Sequence, residues 1–117
     1  AIEFFLSNGK LLANEMAPRV HNSGHWTIEG SNVSQFENHV RAVAGLPLGD
    51  TSMRAGSCVM VNIIGQRPDA AVLLSVPGLH LHDYAKAAKP GRKIAHATLM
   101  PVPKGWEQIP AVAAILA

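Results

Sequence analysis

Apolar residues along this chain come in short runs separated by turn formers, not in long periodic blocks. Residues 2–6 and 10–14 flank Ser7-Asn8-Gly9, a strong hairpin signal. A two-residue Asn-Gly loop would pair Leu6 with Leu11 and set Glu3 against Asn14, leaving Glu15 on the other face. A three-residue loop with Gly9 left-handed would pair Leu6 with Lys10, so that Glu3 and Glu15 share a face. The three-residue loop is the preferred reading, because it brings two acids together beside a polar loop.

Further on, Val33-Ser34-Gln35-Phe36-Glu37 reads as a helix start, with Ser34 as N-cap, Glu37 three residues later and Val33 as staple. Phe36, Val40 and Val43 form its apolar stripe; Gly45 stops it and Pro47 prevents resumption. Residues 49–57 are a turn-rich connector. Cys58 to Ile64 is a continuous apolar strand interrupted only by Asn62, whose carboxamide needs either a ligand or an internal partner. Ala70 to Val76 is a short apolar element of open type. Leu79-His80-Leu81-His82 alternates as a strand with both imidazoles on one face, and Arg92 to Met100 returns as another. An Ala-rich helical tail begins at Pro110, where proline is tolerated in the first turn.

The 117 residues, 48% of them hydrophobic, suffice for one modest domain or a piece of a larger protein. The first residues already read as the middle of a sheet, so a fragment is expected. No apolar run is long enough to span a membrane as a helix. The single cysteine, Cys58, lies in an apolar run and is expected to be a buried, reduced thiol; cytoplasmic residence is the matching expectation. A net charge of +2 gives no case for nucleic acid. Lys86, Lys89, Arg92 and Lys93 nevertheless cluster around Pro90-Gly91, which suits a small phosphorylated ligand as well as a solvated turn.

The densest chemistry lies in residues 14–26, where Asn14, Glu15, Arg19, His21, Asn22, Ser23 and His25 stand close together in sequence. A core segment has no use for so many polar groups, whereas a loop gripping a charged ligand does. Two carboxylates on one face, Glu3 and Glu15, repel unless a cation sits between them, and oxygen donors are what Mg²⁺ prefers. His80 and His82 lack further ligands at zinc spacing.

Glu3-Phe4-Phe5, the stretch from Asn14 to Thr27, Ser34-Gln35-Phe36-Glu37, the stretch from His80 to Lys86 and that from Pro90 to His96 together resemble the C-terminal part of the N5-carboxyaminoimidazole ribonucleotide synthases. These are purine-pathway ligases of the ATP-grasp superfamily. The resemblance covers nearly all of this chain but only the closing portion of the family's enzyme, without its adenine pocket or triphosphate-covering loop.

The resemblance implies several assignments. Glu3 and Glu15 would hold Mg²⁺ on the phosphates of ATP, with Asn14 beside the nucleotide. Arg19 and His21 would stand at the bicarbonate and carboxyphosphate pocket, with Asn22 and Ser23 in the same loop. Lys86, Arg92 and Lys93 would bind the phosphate of 5-aminoimidazole ribonucleotide. Two departures are visible: Ala95 replaces an expected glycine, and Asp83 stands near Lys86 in place of a larger residue.

The expected architecture is α+β, with residues 1–45 as the C-terminal edge of an ATP-grasp domain and residues 46–117 as a small β-rich C-terminal domain with a terminal helix. Expected partners are ATP, bicarbonate, the ribonucleotide and the N-terminal part of the same enzyme. A homodimer is a candidate assembly, and neither nucleic acid nor membrane is expected. The isolated piece is expected to be inactive. The alternatives are a non-catalytic ATP-grasp remnant serving as a binding or interaction module, and another phosphoribosyl-substrate ATP-grasp ligase.

Overall fold

The computed structural model describes residues 1–54 and 56–116; Ala55, in the expected connector, and Ala117 lie outside them. The architecture is α+β. It opens with an antiparallel hairpin of β1 (Ile2–Ser7) and β2 (Lys10–Met16). The preferred three-residue loop is corrected here. Ser7 pairs with Lys10 and Leu6 with Leu11, so the loop is the two-residue Asn8-Gly9, with φ of 49° and 74°. Both signs are positive, as the tight turn that matches strand twist requires, and asparagine and glycine are the residues that accept them. Glu3 still faces Glu15, because the register shifts between Glu3 and Phe4 and leaves Asn14 as an extra residue on β2. Such a bulge moves later side chains to the opposite face.

After the polar loop come a 3-10 turn (Asn22–Gly24), the short α1 (Thr27–Gly30) and α2 (Gln35–Val43). Ser34 caps α2 as expected: its hydroxyl accepts from the Glu37 amide at 3.2 Å. The expected apolar stripe is not buried, since Val40 and Val43 face solvent. The chain then runs back along α1, with Val33 N–H donating to Asp50 O and Asn32 N–H to Ser52 O.

The second sheet has the order β3-β5-β4, from Val59–Ile64, Lys93–Leu99 and Leu79–Asp83, all neighbours antiparallel. The apolar element left open in type is helix α3 (Ala70–Leu74), capped by the Asp69 carboxylate on the Ala71 amide. The tail helix α4 (Pro110–Leu116) begins at the expected proline. Together α3 and α4 cover one face of the sheet, where Ile63, Leu73, Val76, Leu79, Ala95, Ala97, Leu99 and Val112 close the core. The small side chains of Ala95 and Ala97 leave room for the helices, and Ala95, which stands where a glycine was expected, is buried with the core.

The opposite face is polar in part. Asn62, His96 and His82 stand in register across the three strands, as do Met60, Thr98 and His80. His96 and Thr98 are nonetheless fully buried, and the His25 ring of the polar loop packs over His96 with Phe36 behind it. Among the described residues no helix is long and apolar enough to cross a membrane.

Candidate functional site

The hairpin bulge and the polar loop create the first cluster. One ligand atom from each of Glu3, Glu15 and His21 lies within 4.8 Å of the others. His21 Nε2 hydrogen-bonds Glu15 Oε1, its Nδ1 meets Ser23 Oγ at 2.8 Å, and Glu3 Oε2 stands 3.9 Å from Nδ1. Asn14, the bulged residue, donates from Nδ2 to Glu3 Oε1 at 2.7 Å. The two acids therefore share their mutual repulsion with an imidazole and a carboxamide. The donor set suits a hard divalent cation: two carboxylates converge from opposed strands, with the His21 ring nitrogens beside them.

His21 itself is held from behind. Its backbone N–H donates to Gln35 Oε1 at 3.0 Å, and Gln35 Nε2 donates back to His21 O at 2.8 Å. The loop closes so tightly there that a Cβ at Gly24 would lie 2.6 Å from Gln35 Oε1. Arg19 is exposed, and its Nη1 donates to the adjacent Val20 carbonyl at 3.0 Å.

The second cluster lies where the loop meets the β5 sheet. Asn22 Nδ2 donates to Asn62 Oδ1 at 2.8 Å, and Lys93 Nζ donates to Asn22 Oδ1 at 2.9 Å. The structure thus resolves the open question at Asn62 in favour of an internal partner. The ammonium of Lys86 sits 4.9 Å from the centre of the Tyr84 ring, and the Tyr84 hydroxyl is 2.7 Å from His96 Nδ1. Burial raises the pKa of Tyr84, and a hydrogen bond with Asn22 offsets part of that rise.

Asp83 is taken by Arg67 and makes no ion pair with Lys86 among the described residues. Arg67 takes its carboxylate with two hydrogen bonds, 2.7 and 3.1 Å, and donates a third to Lys86 O at 2.7 Å. That guanidinium, helped by the Ala85 amide, holds the Asp83 carboxyl down at about 2. Lys86, Arg92 and Lys93 are all exposed at this edge.

Between the clusters, His82 Nε2 hydrogen-bonds Glu29 Oε1 at 2.6 Å and stacks on His96 with ring centres 4.5 Å apart. Burial pulls His96 down to about 4 and lowers His25 as well, so both rings are neutral at pH 7. His82 is thereby spent on Glu29, and His80 is exposed. Burial raises the pKa of Cys58, which fits an inert thiol. Gln35, Tyr84 and Glu29 were missed as organising residues, while Asn62 carried its signal by interrupting an apolar strand. Gln35 and Tyr84 stand inside the stretches that carry the resemblance; Glu29 had no signal.

Comparison with known proteins agrees with the residue motifs. Residues 1–36 match the ATP-grasp domain, and residues 58–102 match the phosphoribosylaminoimidazole carboxylase C-terminal domain. The N5-carboxyaminoimidazole ribonucleotide synthase of Pseudomonas aeruginosa is 62% identical over 99 residues, which is 85% of this chain and 27% of that protein. The crystal structure of the Thermus thermophilus synthetase superposes with a TM-score of 0.80 at 56% identity, over 98% of this chain and 30% of that one. The Aspergillus clavatus synthase, solved with ADP and 5-aminoimidazole ribonucleotide, gives 0.84 at 39% identity, over 99% of this chain and 34% of that one. The chain thus spans about a third or less of the relatives it matches. It belongs to the N5-carboxyaminoimidazole ribonucleotide synthase family and carries a C-terminal part of it, in which ATP-grasp sequence passes into the family's C-terminal domain.

Proposed function

We propose that the protein containing this chain is an ATP-dependent ligase that carboxylates 5-aminoimidazole ribonucleotide with bicarbonate. ATP phosphorylates bicarbonate, giving carboxyphosphate and ADP. The exocyclic amine of the ribonucleotide then attacks the carboxyl carbon, phosphate leaves, and a proton is lost from nitrogen. The observation that carries this reading is the meeting of Glu3 and Glu15, on the two hairpin strands, with His21 of a loop that reaches Lys93 through Asn22. One loop can in this way serve both a nucleotide phosphate and a ribonucleotide phosphate.

Glu3 and Glu15 would hold Mg²⁺, which supplies charge neutralisation on the transferring phosphoryl group, and Asn14 would stay beside them. Arg19 is exposed at the end of the same loop, where its planar fork suits the two oxygens of bicarbonate and of carboxyphosphate. His21 and Ser23 line that pocket. Lys86, Arg92 and Lys93 receive the 5′-phosphate, a remote handle whose binding holds a weakly nucleophilic amine in place. We divide the chain at residue 45, with the hairpin and α2 completed by the remaining ATP-grasp sequence of the full protein. Carboxyphosphate hydrolyses readily, so that remainder must also exclude water.

The reading is tested in the full-length protein. Glu15→Gln keeps size but loses charge, and Mg²⁺-dependent ADP formation should fall on the order of 10²-fold or more while the circular dichroism spectrum stays unchanged. Arg19→Lys should lower kcat more than it alters KM for ATP. Unaltered turnover in Glu15→Gln would reject the metal assignment.

A further inference from the structure

Asn62 stands in the middle of an apolar strand, opposite His96 on β5, and its carboxamide oxygen accepts from Asn22 Nδ2 at 2.8 Å. Asn22 in turn accepts at Oδ1 from Lys93 Nζ at 2.9 Å. A carboxamide has a donor end and an acceptor end of nearly the same shape, so its partners decide which way it points. The Asn62 oxygen can only accept. It therefore captures the Nδ2 end of Asn22 and turns the Oδ1 end toward the ammonium. With that acceptor removed, Asn22 loses its tie to β3, and only the Tyr84 hydroxyl and the ammonium itself are left to orient it.

The choice of a neutral partner matters for an anion site. A carboxylate at position 22 would anchor Lys93 but cancel its charge. Arg67 is in that condition, its guanidinium committed to Asp83. A carboxamide holds the ammonium by one of its three donors and leaves the full charge and two donors for a ligand. Lys93 is also the first residue of β5, the strand against which β3 sets Asn62, so the anchor and the cation share one rigid frame.

We propose that Asn62 is a positioning residue: by setting the orientation of the Asn22 carboxamide, it holds the Lys93 ammonium ready for the 5′-phosphate of the ribonucleotide. This rests on the reading of Lys93 as a phosphate contact. Asn62 acts on nucleotide binding only through Asn22 and Lys93, so its effect is confined to the phosphorylated substrate.

The test is steady-state kinetics of the full-length enzyme carrying Asn62→Leu, Lys93→Met or both, with the ribonucleotide and its dephosphorylated nucleoside as alternative substrates. Asn62→Ala removes the same acceptor and serves if leucine is not accommodated. Losing one hydrogen bond to a charged-group relay should raise KM for the ribonucleotide roughly tenfold, with kcat and KM for ATP within about twofold of wild type. The kcat/KM for the nucleoside should be unchanged, and in the Lys93→Met background the Asn62 substitution should add less than about twofold. Equal losses for nucleotide and nucleoside, or additive effects in the double variant, would reduce Asn62 to a structural residue and overturn the proposal. If Lys93→Met raises the nucleotide KM and Asn62→Leu does not, the role of Asn62 alone falls. If Lys93→Met leaves that KM unchanged, the phosphate assignment falls and the inference falls with it.

Discussion

The hairpin β1–β2 and the sheet β3-β5-β4 are both antiparallel and both largely apolar, yet they stand at opposite extremes of burial. Phe4, Phe5, Leu6, Leu11 and Leu12 are all at least half exposed, Leu6 at 75%. In the sheet, six successive residues of β5, Ile94 to Leu99, are buried. The difference is one of cover. The sheet has α3 and α4 on one face and the polar loop on the other, whereas the hairpin has no such layer among the described residues. A lone hairpin is marginal in water, so its shape rests on local turn chemistry and a bulge. The chemistry of the candidate site is carried on the poorly covered element, and its orientation is borrowed from the well-covered one.

The largest test of this contrast is a pair of truncations in the 117-residue chain. Leu73→Ala, at a fully buried site, should lower the free energy of unfolding by about 2–5 kcal/mol, while Leu11→Ala should stay within about 0.5 kcal/mol of zero. Urea denaturation measures both, and equal losses would break the comparison. In the full-length protein a larger cost at Leu11 would sharpen it, since ATP-grasp sequence outside this chain would then cover the hairpin.

Next in size is a pH dependence seated in the sheet. The folded state holds His96 near 4, against an ordinary value of 6.5, so between these limits the unfolded chain binds more protons. Stability is therefore full above about pH 6.5 and falls as the pH drops toward 4, by up to about 3 kcal/mol; His25 adds in the same direction. Urea midpoints taken across that window should show the slope, and His96→Phe should flatten most of it.

A smaller effect lies at the seam between the regions. Gly24→Ala places a methyl group 2.6 Å from Gln35 Oε1. The Gln35 side chain can swing aside, so stability should fall by only about 1 kcal/mol, one hydrogen-bonded clamp. The His21 amide should nonetheless lose its protection from hydrogen exchange, which NMR reads residue by residue. The smallest expected change is a gain. Ala85 sits at φ 55°, an arrangement the Asp83 carboxylate supports by accepting from its amide. Ala85→Gly should relieve strain and leave the chain more stable by no more than about 1 kcal/mol, as a rise in melting temperature.

What could be read from the sequence followed the range of the interactions. The Ser34 cap, the presence of a hairpin at Ser7-Asn8-Gly9 and the start of α4 at Pro110 are local, and each was visible in a few neighbouring letters. Helix α3 was left open because a short apolar run fits a buried strand as well as a helix. The hairpin register failed in its loop and held in its outcome. Nothing between Lys10 and Glu15 announces a bulge, since a bulge is a property of two strands and not of one. The links that assemble the site were the least visible. Glu29 to His82 spans 53 positions and Asn22 to Lys93 spans 71, and no spacing rule connects residues so far apart. The family motifs named most of the polar residues in the site, but which partner Asn62 and Gln35 take, and the presence of Glu29, emerged from the packing.

The extra residue at Asn14 turns the hairpin into a device that counts. In a regular ladder closed by this two-residue loop Glu3 would face position 14, so it is the bulge that lets Glu15, one residue further on, reach Glu3. Loss of one β2 residue together with the bulge keeps the pair, whereas one more inserted residue carries Glu15 past it. Matched losses, one residue from each strand, shorten the arm and preserve the meeting of the two acids. The length of this arm is therefore free to drift across relatives in matched pairs, and singly only where the bulge is lost with the residue.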